Sequence, residues 1–522
     1  MADSSTYDEL PYTDNCFYYT HPDHMATVAS LHGLTPTPPE RCRVLELGCA
    51  MGGNLIPMAL KLPDARFVGI DLSTRQVAEG RATIESLGLR NVELHAMSIT
   101  DVDAGLGLFD FIVCHGVYSW VPAPVRDKIL SIFAENLAPR GLAYVSYNTF
   151  PGWHARGLAR DLMAFHVRDG GAMRDSARSA RSFLKDLVDV LPDPNTAYAA
   201  ILKAEGDFLE DVDDAYLFHE HLEETNNPFY FHQFMAAAGA RGLAFVAEAK
   251  TDGLLGHLPP KARERIAEWG GDAIAREQYA DFVTNRTFRR TYLRRAADEV
   301  AAKTSPEVVA AMGVGTMVTP DAGEVDVFSN EPVAFHVPGG GPSLTTNHPL
   351  LKTALVELAL ARPRMIPFDE LVDRVQARLA PRLAEAFDDA KARAYLCDAL
   401  FRGFSVDLVA LNVSPPRIAV PAGESPTASP LARLQAAQGK RITNIPGRTV
   451  EPHDLDRLLL PLLDGERDRS SLGEALKAAI ESGDFAVSFE GVPLAGEKTD
   501  EAIPELIEAS LRRLAAMGLL TS

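Results

Sequence analysis

The sequence predicts an α/β protein. A mostly parallel sheet, covered by helices on both faces and closed by an antiparallel pair of strands, precedes two small winged-helix-like α+β domains. Three observations carry this. From residue 41 to about 155, short β-branched runs alternate with helical stretches at the spacing of βαβ units. Two later helix-rich blocks, each bounded by Pro- and Gly-rich punctuation, have the size and order of a winged-helix module. The 522 residues leave room for three or four domains at roughly 100–200 residues each.

Composition narrows the class further. With 46% hydrophobic and 23% charged residues, the chain is neither disordered, collagen-like nor a disulfide scaffold. The 71 Asp+Glu against 51 Lys+Arg give a net charge of −20, a field that repels phosphate backbones and anionic membranes. Nucleic acid is therefore not an expected partner. Five scattered cysteines without CxxC spacing argue against a structural zinc site and fit a reducing, cytoplasmic setting. No secretory leader is visible at the start, and the apolar runs fall well short of the ~20 residues that span a bilayer, so no membrane insertion is expected.

Taken in order, residues 1–40 open with polar and aromatic residues, then a short helix near 24–32 and the breaker TPTPPE. CRVLELGC, RFVGIDL, VELHAMS, FDFIVCHG and LAYVSYN each read as a strand, with helices at 55–62, 75–87 and 125–137 between them. A helical stretch runs to about residue 204, followed by the acidic segment 207–224. Two more strands, near 243–249 and 287–293, are expected to close the first sheet as its antiparallel pair. The glycine run in 330–346 reads as a linker. HPLLKTALVELALA, MIPFDELVDRVQARL and DAKARAYLCDALFRGF then read as three helices, with VDLVALN and RIAV as a terminal hairpin. After a second linker, PAGESPTASP, comes a comparable unit ending in a long helix. Neither unit carries a dense Lys/Arg recognition helix, which favours packing or protein docking over DNA binding.

The most informative stretch is VLELGCAMGGN, ending at Asn54, with Asp71 following 17 residues later at the close of FVGID. A glycine-rich turn after a strand lets the backbone approach a ligand, and an acid closing the next strand accepts from ribose hydroxyls. That pair fits any adenosine-containing cofactor. Three details favour S-adenosylmethionine over NAD. Glu46 lies inside the strand before the first glycine, where a carboxylate repels a pyrophosphate but suits an ammonium and a sulfonium. The pattern Gly48-x-x-x-Gly52-Gly53 departs from GxGxxG. The sheet ends in an antiparallel pair and not in a second mononucleotide half.

These motifs also carry a resemblance. LELGCxxGGN, GIDLS and FDFIVCHGVYSWVP resemble class I S-adenosylmethionine-dependent methyltransferases. THPDHMATVASLHGL, GGNLIPMAL, HGVYSWVPAPVRDKIL and SYNTFPGWHARG resemble bacterial members that carry a methyltransferase regulatory domain. HEHLEETNNPFYFHQF and EQYADFVTNRTFRRT resemble the regulatory domain itself, and ASPLARLQAAQGKRITN with LLDGERDR the carboxy-terminal region of the same proteins. The best-known members are rickettsial lysine methyltransferases of an outer-membrane protein. The resemblance implies a Rossmann-like core at 41–165 after an amino-terminal helical or lid segment at 1–40. It further implies a helical insertion at 166–218, a regulatory domain at 219–330 that completes the sheet, and winged-helix-like domains at 345–421 and 430–522.

Carried over by position, Gly48, Ala50, Gly52 and Asn54 line the methionine end of the cofactor, with Glu46 behind them. Asp71 and Leu72 take the ribose, and Met97, Ser98 and Ile99 flank the adenine. His115 and Gly116 lie beside the sulfonium. Ala50 stands where the family has its second glycine, a change tolerated where φ is negative. Ser98 stands where an acid often accepts from the adenine amino group.

Methyl transfer needs the nucleophile held near the methyl on a clear line of attack. Residues at the carboxyl ends of strands four and five are placed to do this: His115, Tyr118, Trp120, Tyr147, Asn148 and Trp153. Their aromatic faces can hold a cationic amine, and Tyr118, Tyr147 or His115 can relay its proton. Tyr7, Tyr12 and His21 are expected to fold over the cofactor as a lid. The arginines of 286–295 read as a solvated or salt-bridged edge facing the acidic stretch 207–224, with binding of an acidic acceptor as the other reading. His219 and His221, two residues apart, read as a solvated helix and not as metal ligands.

The expected function is transfer of methyl groups to lysine amines of a protein acceptor. A small-molecule or carrier-bound acceptor is the alternative, and a non-catalytic S-adenosylmethionine-binding regulator is the third reading. A homodimer is compatible with all three.

Overall fold

The computed structural model describes residues 15–250, 258–300, 305–321, 323–383, 388–419 and 422–521, apart from 484, 487, 490, 491 and 494–496. Tyr7 and Tyr12 of the expected lid lie outside these residues. The chain divides into two compact units. The first holds residues 28–59 and 63–304 with the amino-terminal 1–15; the second holds 16–27, 60–62 and 305–522.

Helix α1 (Pro22–Leu31) leads into β1 (Arg43–Leu47), α2 (Leu55–Lys61), β2 (Arg66–Asp71) and α3 (Thr74–Ser86). There follow β3 (Val92–Ala96), β4 (Phe109–Cys114), α4 (Ala123–Asn136) and β5 (Leu137–Asn148). Strands β1, β4 and β5 are buried almost end to end, as expected where helices cover both faces. The Ser73 side chain starts α3 by accepting from the Gln76 N–H at 3.1 Å.

The chain then forms α5 (Gly152–His166), α6 (Met173–Asp189) and α7 (Ala197–Glu210), which share a small core around Met163, Leu184 and Leu202. It returns through α8 (Phe231–Gly239), β6 (Leu243–Glu248), α9 (Pro260–Trp269), α10 (Ala273–Thr284) and β7 (Phe288–Arg295). The seven-stranded sheet has the order β3-β2-β1-β4-β5-β7-β6. Pairs among β1 to β5 are parallel, while β7 runs antiparallel to both β5 and β6. Strand order reverses between β1 and β4, so the crevice at their carboxyl ends is where a ligand fits such a sheet.

Arg286 and Arg289, at the start of β7, are salt-bridged, but they are largely buried and their partners are not the expected acids of 207–224. Arg289 has no exposed surface. Its guanidinium grips Asp281 through Nε and Nη2, both at 2.8 Å, reaches Glu248 Oε1 at 2.8 Å and Glu277 Oε2 at 3.0 Å, and lies 3.8 Å from the centre of the Phe231 ring. Arg286 Nε lies 2.8 Å from the same Asp281. The acids of 207–224 play no part in this cluster; its carboxylates come from β6 and α10. Three carboxylates therefore face two guanidiniums, and one carboxyl group is left to hold a proton. Burial pushes Glu277 up to about 7. At Glu248 burial is outweighed by Arg289 and Arg286 and by hydrogen bonds from the Arg290 N–H and Thr291, which hold it below the usual range.

In the second unit β8 (Gly313–Thr316) is the centre of a three-stranded sheet. It lies between β12 (Ile366–Pro367) and β13 (Val409–Asn412), with α11 (Pro349–Ala361), α12 (Phe368–Leu383) and α13 (Asp389–Phe404) packed around it. Residues 305–321 thus go with this unit, which moves the boundary expected near 330–345 back to residue 304. The expected glycine linker is instead a hairpin. β10 (Val333–His336) pairs with β11 (Ser343–Thr346) around Gly339, Gly340 and Gly341, all at positive φ; a two-residue β9 (Thr319–Pro320) adds to its edge. Residues 413–419 form no strand, so the wing expected from RIAV is absent among the described residues and β13 pairs with β8.

Helices α14 (Pro430–Ala437), α15 (Asp454–Leu459), α16 (Arg469–Glu481) and α17 (Glu497–Ala516) close the chain around an apolar core that includes Leu460, Leu476 and Leu514. His21, offered for the lid, is buried in the second unit 2.8 Å from Asp23 and presents no ring for a cover. Among the described residues no helix is long and apolar enough to cross a membrane.

Glu277 carries a proton in the fold between about pH 4.5, its unfolded value, and pH 7. Its contribution to stability is complete below that window and is lost as pH rises through it. Calorimetry should show the Tm falling between pH 5 and pH 8 by a component that Glu277→Gln removes. Arg289→Met leaves buried carboxylates without their counter-charge and should cost about 3–5 kcal/mol in denaturant unfolding.

Candidate functional site

The loop after β1 is shaped by its backbone. Gly48 has φ +78°, and a Cβ there would lie 2.6 Å from Val117 Cγ2. Gly52 has φ +81° and donates to the Cys49 carbonyl at 2.8 Å. Ala50 was expected to be tolerated at negative φ, but it adopts φ +48°. An alanine in that region is uncommon, and what holds it is Asp71: Oδ2 accepts the Ala50 N–H at 2.8 Å and Oδ1 accepts the Ser73 N–H at 2.9 Å. Asp71 thereby clamps the glycine loop.

The neighbouring residues complete a cradle. Leu72 is 56% exposed, an apolar surface beside the carboxylate. Met97 and Ile99 pack against the main core, while Ser98 caps its own turn by accepting from the Thr100 N–H at 3.2 Å. Beneath the loop, buried Glu46 accepts from Asn54 Nδ2 at 2.8 Å, which fixes both side chains. Gly116, at φ +67°, would carry a Cβ into open space. A clamped glycine loop, a ribose-ready acid, an exposed apolar shelf and a buried carboxylate fit S-adenosylmethionine.

At the tips of β4 and β5 the contacts are more selective than expected. His115 Nδ1 lies 2.8 Å from Tyr144 Oη and 3.1 Å from Ser146 Oγ, and Ser146 Oγ accepts the Gly116 N–H at 2.8 Å. Burial, followed by the Arg290 guanidinium, pushes His115 down to about 3, so the imidazole is neutral near pH 7. Tyr144 and Ser146 were missed from the sequence. They alternate along β5 on the face that meets His115, a period-two signal already present in LAYVSYN.

Tyr147 points to the other face. It is buried, stacked 4.2 Å from Phe234, and its hydroxyl lies 3.2 Å from Thr291 Oγ1. Tyr118 is buried among Tyr147, Phe229 and Phe234, and Trp153 is buried 6.2 Å from His221. Burial holds the hydroxyls of Tyr118 and Tyr147 protonated well above the usual tyrosine range. These three rings are core and do not line an aromatic slot; Trp120, in the single turn Tyr118–Trp120, is half-buried.

A segment outside the expected site reaches it. The Phe229 N–H donates to the Asn148 carbonyl at 3.0 Å, and the Phe150 N–H donates to the Phe229 carbonyl at 3.1 Å. The Asn227 N–H donates to the Ser119 carbonyl at 2.8 Å, Ser119 Oγ accepts the Asn148 N–H at 2.9 Å, and Asn148 Nδ2 donates to Asn226 Oδ1 at 3.0 Å. Residues 226–229 thus stitch the turn after β4 to the end of β5. Just upstream, His219 and His221 are buried and not solvated. His219 Nδ1 is 3.0 Å from Glu223, and His221 Nε2 is 3.4 Å from Glu205. Burial, with Arg156 and Arg160, pushes His221 down to about 3.

Comparison with known proteins fixes the family. Residues 44–141 match the methyltransferase domain, residues 213–295 the predicted methyltransferase regulatory domain, and residues 424–519 the PKMT C-terminal winged helix domain. The structure superposes on that of PKMT2 from Rickettsia typhi in complex with AdoHcy with a TM-score of 0.88 and 30% identity, covering 98% of this chain and 100% of that one. The Rickettsia prowazekii protein RP789 is 34% identical over 514 residues, 97% of this chain and 91% of its own length. A second R. prowazekii protein, RP028, is 41% identical over 233 residues, covering 45% of this chain. The chain belongs to this family of class I S-adenosylmethionine-dependent methyltransferases, in which a regulatory domain and a winged-helix domain follow the methyltransferase core.

Two substitutions test the cradle. Gly48→Ala, which adds a methyl against Val117 at a left-handed φ, should raise the Kd for S-adenosylmethionine by about tenfold or more in calorimetry. Asp71→Ala, which removes both the ribose acceptor and the clamp on Ala50, should raise it further still, by about 100-fold.

Proposed function

We propose that the methyl acceptor is the side-chain amine of a lysine in a protein. The observation that carries this reading is the whole-chain likeness to PKMT2, whose abbreviated name denotes a protein-lysine methyltransferase, including the units that a cofactor fold does not need. Bound S-adenosylmethionine supplies an electrophilic methyl on sulfur. The residues that would hold it are Glu46 and Asn54 with Gly48, Ala50 and Gly52 at the amino-acid end, Asp71 and Leu72 at the ribose, Met97, Ser98 and Ile99 at the adenine, and His115 with Gly116 near the reacting centre.

In this reading His115 is a positioning group. Its neutral ring adds no positive charge beside a sulfonium, and Tyr144 and Ser146 hold it in place. Trp120 supplies a partly exposed ring at the mouth, and Asn148 is fixed by Asn226. Neither His115 nor the buried hydroxyls of Tyr118 and Tyr147 are poised as bases near pH 7. The amine therefore arrives neutral, its pKa lowered by desolvation at the mouth, and its proton goes to solvent after the nitrogen takes the methyl.

Incubation with labelled S-adenosylmethionine and a cell lysate should place the label in protein, and acid hydrolysis should recover it as methyl-lysine. Label found only in small molecules overturns the reading. With a lysine acceptor, kcat/KM should rise about tenfold per pH unit below the pKa of the free lysine amine, about 10.4, with no inflection from an enzyme base between pH 6 and pH 8. His115→Gln should lower kcat while keeping that slope.

A further inference from the structure

The reaction mouth continues into a strip of aromatic rings that methyl transfer itself does not use. Phe150, two residues past Asn148 at the end of β5, stacks on His154 at 4.1 Å and meets Tyr230 at 5.3 Å. His154 Nε2 and Tyr230 Oη are 3.0 Å apart, which fixes both rings. From Tyr230 the contacts run to Phe282 at 6.1 Å, then to Tyr279 at 6.0 Å and Trp269 at 5.6 Å. Four elements contribute: the end of β5, the start of α5, the start of α8, and the α9–α10 pair. The far rings face solvent, with Trp269 52% exposed and Phe282 47% exposed, beside Val283 at 43%. An exposed apolar run of this kind on a strongly acidic chain is out of place as mere surface.

We propose that this strip seats the acceptor chain: an extended segment whose bulky apolar side chains, aromatic or aliphatic, lie within about seven residues of the target lysine. The inference rests on the protein-lysine reading above and deepens it. Continuity with the mouth picks the occupant, because a chain whose lysine enters at the β5 tip must leave along the neighbouring surface. The four ring-to-ring steps from Phe150 to Trp269 span at most about 23 Å, the reach of about seven extended residues. Chemistry picks the side chains. The strip presents partly exposed aromatic rings and a valine, a surface on which apolar groups gain more than charged ones.

The test uses the full-length enzyme at saturating S-adenosylmethionine and three nine-residue peptides with one lysine each. They carry Phe and Leu, Ser, or Arg at the same flanking positions. The Phe/Leu peptide should show a KM about tenfold below that of the Ser peptide. Trp269→Ser combined with Phe282→Ser should raise KM about tenfold for the Phe/Leu peptide and less than about twofold for the Ser peptide, with kcat and cofactor Kd unchanged. Equal changes for the two peptides, no change, or a preference for the Arg peptide overturns the proposal. A change in oligomeric state of the double variant in sedimentation shows a self-contact instead and overturns it too. Failure of the wild-type enzyme to methylate any of the three peptides counts against the lysine reading itself and removes the strip's occupant with it.

Discussion

With no exposed surface, the Arg289 guanidinium can stay charged inside the sheet only because carboxylates from β6 and α10 converge on it, and that requirement couples elements far apart in the chain. Glu248 lies 41 residues before Arg289, yet one of its oxygens takes the guanidinium while the other takes the Arg290 N–H. Removing Glu248 or Asp281 would leave a guanidinium short of its counter-charge in a low dielectric, at several kcal/mol. The closing strand is therefore pinned in register by charge as well as by its ladder. Its partner β5 acquires a covered edge where an open sheet would end.

That register divides the work of β5 between its faces. Pairing sets Tyr147 opposite Arg289 and Ser146 opposite Arg290. On the Tyr147 side, the hydroxyl meets Thr291, which in turn donates to Glu248, so the ring belongs to the charged hub. On the Ser146 side, the hydroxyl takes the Gly116 N–H and meets His115, so the same strand supports the loop proposed to lie beside the cofactor. A shift of one residue would exchange the two faces and destroy both. The regulatory part of the chain is thus structural support for the transfer site, and residues 226–229 add a second tie from the same part.

The glycine loop after β1 was legible as a backbone feature because its signals are local. Strand, glycine turn and terminal acid occupy 28 consecutive residues from Val44 to Asp71, and the backbone does what those residue types allow. Only Ala50 ran against the rule, and its left-handed φ is explained by a contact with Asp71 that sequence distance hides. The transfer half was read less well. Choosing aromatics by type selected Tyr147, whereas the strand's period points to Tyr144 and Ser146. The arginine cluster and the buried histidines were misread for another reason: their partners Glu277, Glu248 and Glu205 sit on separate elements, and no periodicity announces a three-dimensional charge balance. The glycine run at 339–341 was taken for a linker because a turn and a linker share a composition; only the pairing of its flanks tells them apart.

The charge of −20 looks different once its location is known. Part of the acid is spent inside the protein, where Glu248, Glu277 and Asp281 balance Arg289 and Arg286 and contribute little field outside. Near the reacting centre the fold goes further and keeps its imidazole neutral, with Glu46 set beneath the cofactor loop. A neutral ring suits a reaction in which a cationic sulfonium meets a nucleophile that has to be uncharged. Binding a protonated amine through carboxylates would secure the acceptor in its unreactive form, since charge pairing raises an amine's pKa. In the proposed reading, apolar contact along the chain beside the lysine would avoid that conflict, because it would hold the acceptor without stabilising the proton that must leave. In the lysine reading proposed above, acceptor recognition through rings and proton loss through desolvation follow from one arrangement, a site that would bind the neighbours of the reactive nitrogen and leave its charge unsupported.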